Sequence, residues 1–128
     1  MCSIRGFMVA VGLVCFSAPS LAHHSWTVDY DANKPVTVKG VVTKVEWTNP
    51  HTRIYIDAKD DKGQVVSWNF EMASTLSLER GGWSRKTLAV GTAVTVAGFG
   101  ARAAATRAIA NSIVTGDGRS LFVAGPGN

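Results

Sequence analysis

The stretch that most constrains this chain runs from Lys34 to His51 and reads K-P-V-T-V-K-G-V-V-T-K-V-E-W-T-N-P-H. Val36 and Val38 share one parity and Val41, Val45 and Trp47 the other, and the switch falls at Gly40. Period-two alternation marks a β-strand with one buried face. A change of parity at a glycine predicts a bulge, where one extra residue re-aims the side chains that follow. The strand can then serve two faces of a sheet. It must end at Thr48-Asn49-Pro50, because proline cannot donate to a ladder, and His51 stands just beyond.

The first 22 residues have a different character. Arg5 precedes an apolar run from Gly6 to Phe16, and Ser17-Ala18-Pro19-Ser20-Leu21-Ala22 follows. A positive end, an apolar centre too short to span a bilayer and a small-residue tail make a secretory leader, with cleavage expected after Ala22. The alternative, lipidation at Cys15, has Val14 where a small residue is needed. Both cysteines, Cys2 and Cys15, lie in the leader, so the mature chain would carry no disulfide and no thiolate metal site. The expected location is periplasmic or secreted, with no membrane segment after cleavage.

The mature chain would hold twelve basic residues against nine acidic ones, a mild positive balance scattered along the sequence. Scattered charge is the pattern of a solvated surface and argues against a nucleic-acid partner. Its length suits one domain with a modest core, expected over residues 35–124 after an arm at 23–34 and before a frayed 125–128.

After the leader, residues 23–33 lack periodicity and read as an arm with one short extended piece at Trp26 to Val28. Trp26 and Tyr30 could dock it on the domain. From Arg53 to Lys59 the alternation is clean, with Ile54, Ile56 and Ala58 on one face. Asp60-Asp61-Lys62-Gly63 then turns into a second alternation, Val66, Trp68 and Phe70, which predicts a hairpin. Glu71 to Arg80 carries Met72, Ala73 and Leu76 at helical spacing, with Ser74 or Ser77 as cap and Gly81-Gly82 as stop. Strands follow at Ala93 to Phe99 and Ala108 to Thr115, and a short one at Leu121 to Val123 after the Asp117-Gly118 turn. Three strands, a short helix and two strands predict an all-β chain with one helix, arranged as a five-stranded OB-like barrel. A small open β-roll or sandwich is the alternative.

Several of these segments together resemble a known family. His23-His24-Ser25, Lys34-Pro35-Val36-Thr37, Glu46-Trp47-Thr48-Asn49-Pro50-His51, Gly82-Trp83-Ser84-Arg85 and Gly91-Thr92-Ala93-Val94-Thr95-Val96 are similar to motifs of exported bacterial proteins known only as a domain of unknown function. The resemblance covers the mature chain. It implies an exported, OB-like β domain, and no activity comes with it.

Three histidines carry the chemistry that the residues suggest. Cleavage after Ala22 would make His23 the first residue, offering its α-amine and ring Nδ1 as a chelate, with His51 or His24 as a third nitrogen. Such a nitrogen-rich set favours copper in its divalent state. His51, after a rigid Asn-Pro turn, is the better third arm. The plain alternative is that His23 and His24 are simply accepted after a cleavage site and that His51 hydrogen-bonds the preceding turn, since neither spacing is diagnostic.

Enzyme chemistry finds little support: the mature sequence has no nucleophile elbow, P-loop, dinucleotide fingerprint or cysteine nucleophile. The second reading is a metal-independent module for a small ligand or a periplasmic protein. On an OB-like face its residues would be Trp47, Asn49, Arg53 and Tyr55, with Arg102 and Arg107 in the later loop. Trp47, Trp68 and Phe70 continue apolar parities and read more readily as core than as a platform.

Overall fold

A computed structural model describes residues 25–125. The leader, His23 and His24 lie outside the described residues. The chain forms β1 (Tyr30–Glu46), β2 (Arg53–Lys59), β3 (Val65–Glu71), α1 (Thr75–Arg80), β4 (Ala93–Ala101), β5 (Arg107–Thr115) and β6 (Ser120–Leu121), after a turn of 3₁₀ helix at Trp26–Val28. It is all-β with one short helix, as the alternations predict.

Five strands pair in a ring. β1 lies between β2 and β4, β3 follows β2, β5 follows β4, and β3 meets β5 in parallel through Asn69 with Arg107, Phe70 with Ala108 and Glu71 with Ile109. All other pairings are antiparallel. Closure removes most of the open edge that a flat six-stranded sheet would present. The inner faces supply the core: Val38 and Val42, Ile54 and Ile56, Phe70, Val94 and Val96, Ala108, Ala110 and Ile113, with Leu78 of α1 packed among them. These are the residues that strict alternation assigns inward along β2, β4 and the end of β3.

The bent strand is where the structure corrects the sequence. The register slips between Val42 and Lys44, so Thr43 is the extra residue and the bulge sits three positions after Gly40. Val42 is accordingly buried at 1% exposure and Val41 faces out at 43%, the reverse of the expected assignment. Gly40 serves a different need. It is paired with Ala58 on one side and Val94 on the other, at the point where β1 passes from one partner to the next. A Cβ there would lie 2.3 Å from the Asp57 carbonyl oxygen.

Other differences have local causes. Trp26 to Val28 forms a 3₁₀ turn rather than an extended piece, closed by Val28 N–H donating to the Ser25 carbonyl at 3.0 Å. β1 begins at Tyr30, ahead of Lys34, and Tyr30 pairs with Ala101. The helix starts at Thr75, with Ser74 as the cap accepting from Ser77 N–H. Glu71 belongs to β3, because its backbone pairs with Arg53 and Ile109 and outweighs the helical spacing of the residues after it. β6 stops at Leu121, yet Val123 is buried as expected of the third apolar residue there.

Replacing Gly40 by valine should lower stability by about 1–3 kcal/mol, since the backbone of β2 must move to admit the side chain. A urea melt should show a lower midpoint with an unchanged slope; an unchanged midpoint would show that β1 and β2 are not this close.

Candidate functional site

Along β2 and β3 the outward positions are Arg53, Tyr55 and Asp57 against Glu71, Asn69 and Ser67. An outward carboxylate normally stays in water. Glu71 does not, because the start of β1 and the start of β5 pack over it and leave its side chain 10% exposed. Burial of an ion needs partners, and four segments supply them.

One carboxylate oxygen, Oε2, accepts from the Tyr30 hydroxyl at 2.7 Å, from Arg53 Nη2 at 2.7 Å and from Arg107 Nη2 at 3.3 Å. The other, Oε1, lies 3.6 Å from His51 Nδ1. Arg53 also donates to the Asn69 side-chain oxygen. Arg107 donates through Nε to the Tyr30 hydroxyl at 3.2 Å and sits 5.5 Å from the centre of its ring. Burial by itself pushes the Glu71 carboxyl up, but the Tyr30 hydrogen bond and the neighbouring positive charges outweigh it and hold the group below the ordinary 4.5. The Tyr30 phenol is pushed up to about 12, chiefly by burial and then by its bond to Glu71, with Arg107 opposing.

His51 sits at the edge of this cluster. Its side chain is half exposed, and Nδ1 is 3.3 Å from the Met72 carbonyl oxygen. A carbonyl can only accept, so this bond requires the proton on Nδ1. In the neutral ring the lone pair is then on Nε2. The Asn49–Pro50 peptide before it is cis, and the loop is held at two points: the Asn49 side-chain oxygen accepts from Thr75 N–H and hydroxyl, and the Thr48 hydroxyl donates to the His51 carbonyl.

The arm is moored beside the same cluster. Trp26 stacks on Phe99 with ring centroids 5.2 Å apart. Arg102 donates to the carbonyls of Thr27 and Asp29 and pairs with Asp31 at 3.4 Å. Docking by Trp26 and Tyr30 is thus what the structure has, with Tyr30 buried and bonded to Glu71.

Of the other residues singled out from the sequence, Arg53 and Arg107 join His51 at Glu71, while Tyr55, Trp47 and Asn49 are engaged separately. Tyr55 donates to Glu46 Oε2 at 3.2 Å, beside Lys44. Trp47 stacks on Trp83, 6.4 Å between centroids, and packs against the core. Asn49 holds the start of α1. Among the described residues no three His, Cys, Asp or Glu side chains come together as a metal set; His23 and His24 fall outside that statement. The sequence reading missed Glu71, although the polar series Ser67, Asn69, Glu71 carries the signal, the outward alternation of β3 continued by one residue.

A family model described as a family of unknown function, DUF6152, matches residues 10–110. The protein belongs to that family. No curated protein and no solved structure matches the chain.

Replacing Glu71 by glutamine leaves two arginines facing a neutral amide and should lower stability by about 3 kcal/mol at neutral pH. The pH dependence has a definite sign. A carboxyl held below its unfolded value contributes stability that is complete above about pH 4.5 and lost as pH falls through the folded value. Acid melts of the wild-type protein should therefore show a loss that Glu71→Gln lacks; parallel acid profiles would remove Glu71 from the account. In alkali, ultraviolet titration should show one phenol ionising near pH 12 that is absent in Tyr30→Phe.

Proposed function

We propose that this is an exported β domain that binds copper through His51 and the nitrogens of an N-terminal His23, with His24 as the alternative donor. One observation carries the reading: Glu71 receives the phenol of the arm on one oxygen and approaches His51 Nδ1 with the other. The segment that leads to His23 is tied to the carboxylate that borders His51. Six residues lie between His23 and Tyr30, seven steps that span at most about 25 Å, and the reading requires the terminus to turn back toward the imidazole within that length.

The chemistry of the donors fits. Metal-bound histidines typically give their second nitrogen to a carbonyl or carboxylate, which fixes the ring and raises its basicity. His51 has both kinds of group beside Nδ1, and its half-exposed ring keeps Nε2 for a ligand bond. Glu71 is occupied by two arginines and a phenol, so it orients the imidazole and does not compete as a donor. With neutral nitrogens from the terminus and His51, the set favours divalent copper. A domain of this size is suited to carrying the ion. The module reading is less favoured, because Trp47, Asn49, Arg53 and Tyr55 are each held by partners within the domain.

Copper titration of the mature protein, followed by electron paramagnetic resonance, tests this. One ion should bind with a nitrogen-rich signal. One extra residue before His23 should abolish that signal, and His51→Ala should weaken binding at least tenfold, about 1.4 kcal/mol. Binding indifferent to both changes would overturn the reading.

A further inference from the structure

At the opposite end of the β2–β3 hairpin from Glu71 the ring stands open. β1 leaves β2 at Gly40, and from Lys39 back to Pro35 it pairs with β4 alone. β3 touches β5 only from Asn69 onward, so Val65 to Trp68 has a strand neighbour on the β2 side only. Two strands of one ring therefore diverge, and a cleft of about 420 Å³ opens between them, with Val38, Ala58, Val66 and Trp68 on its walls.

These walls belong to the inner face of the ring. Val38 and Ala58 are buried and close the floor, while Trp68 is half-buried, stacked on Phe70 at 5.9 Å. The indole is thus backed by a second ring. Such a site, apolar and concave at the mouth of a closed sheet with a few polar groups around it, is where small ligands are bound.

The rim decides the class of ligand. Thr37, Lys39, Lys59, Asp60 and Asp61 surround the opening. Asp60 is occupied by its own turn, accepting from the backbone N–H of Lys62 and Gln64. Among the described residues Lys39, Lys59 and Asp61 form no ion pair. The mouth therefore offers donors and an acceptor of opposite sign. An anion would meet Asp61, and a cation would meet two lysines. A neutral molecule whose groups both donate and accept satisfies all three, and an apolar face on that molecule would cover Trp68.

We infer that this cleft is a binding site for a neutral sugar, independent of the histidine site. A pyranose with equatorial hydroxyls has this division of surface, C–H groups on the face and hydroxyls at the edge. The face would lie on the indole, and the edge would reach Lys39, Lys59 and Asp61.

The test is a nuclear magnetic resonance titration of the ¹⁵N-labelled mature protein with cellobiose. Saturable shifts should centre on the Trp68 indole N–H and on the backbone of Thr37 to Lys39 and Ala58 to Asp61, with a dissociation constant on the order of 1 mM. Trp68→Leu should weaken binding at least tenfold. Should that variant fold poorly, Asp61→Ala on the exposed rim should still weaken it threefold or more. Shifts that do not saturate, shifts centred elsewhere, or tighter saturation of the same residues by benzenesulfonate would each overturn the assignment.

Discussion

The structure depends on one buried carboxylate. Glu71 sits where β3 closes the ring against β5, and it draws Tyr30 from the start of β1, Arg53 from β2 and Arg107 from β5 to a single oxygen. Isolated in an apolar interior, such an ion would be pushed to its neutral form. Here three donors and two guanidinium charges reverse that, and the carboxyl stays ionised below its ordinary range. The arrangement favours specificity over raw stability. An apolar cluster of equal volume could match the net energy, but it would lack directional bonds from one strand to another. Because each donor comes from a different strand, the bonds form together only when the ring is closed in the correct register.

What the sequence makes legible follows from how far apart the deciding residues are. Ile54, Ile56 and Ala58, and Val66 with Phe70, declare themselves through a period of two that needs nothing beyond their neighbours. So do the hairpin turn before Gly63 and the cap at Ser74. The bulge is legible in kind and not in place: two valines stand side by side at 41 and 42, and only the pairing of Val42 with Ile56 shows which faces inward. Glu71 is read as helical because Met72, Ala73 and Leu76 follow at helical spacing. The backbone partners that make it a strand residue, Arg53 and Ile109, are 18 and 38 positions away in sequence, and no local window contains them.

The candidate site shows the same division. His51 is conspicuous, since a histidine after Asn-Pro has a fixed backbone and little else to do. That its Nδ1 is directed at the Met72 carbonyl and borders Glu71 follows from the tertiary fold alone. The arm is a more instructive case. Its residues show no periodicity, and a reading by pattern can say only that Trp26 and Tyr30 are large and apolar enough to dock. Docking is then achieved by different means, one ring stacked on Phe99 and one phenol buried as a hydrogen-bond donor. Arg102 holds the backbone between them.

The shortness of the β3–β5 contact sets the character of the Glu71 end of the hairpin. Three residue pairs in parallel contribute little ladder energy, and parallel pairing is slightly weaker per residue than antiparallel. A ring closed so briefly needs reinforcement beyond its backbone, which the Glu71 cluster supplies at the end where the strands touch. At the other end nothing joins them, and the inner face of β3 stays open beside Val38 and Ala58. A longer β3–β5 ladder would have needed less reinforcement at position 71. The polar cluster that borders His51 and the open mouth at Trp68 thus lie at the two ends of one hairpin, the first where β3 meets β5 and the second where β1 has left β2.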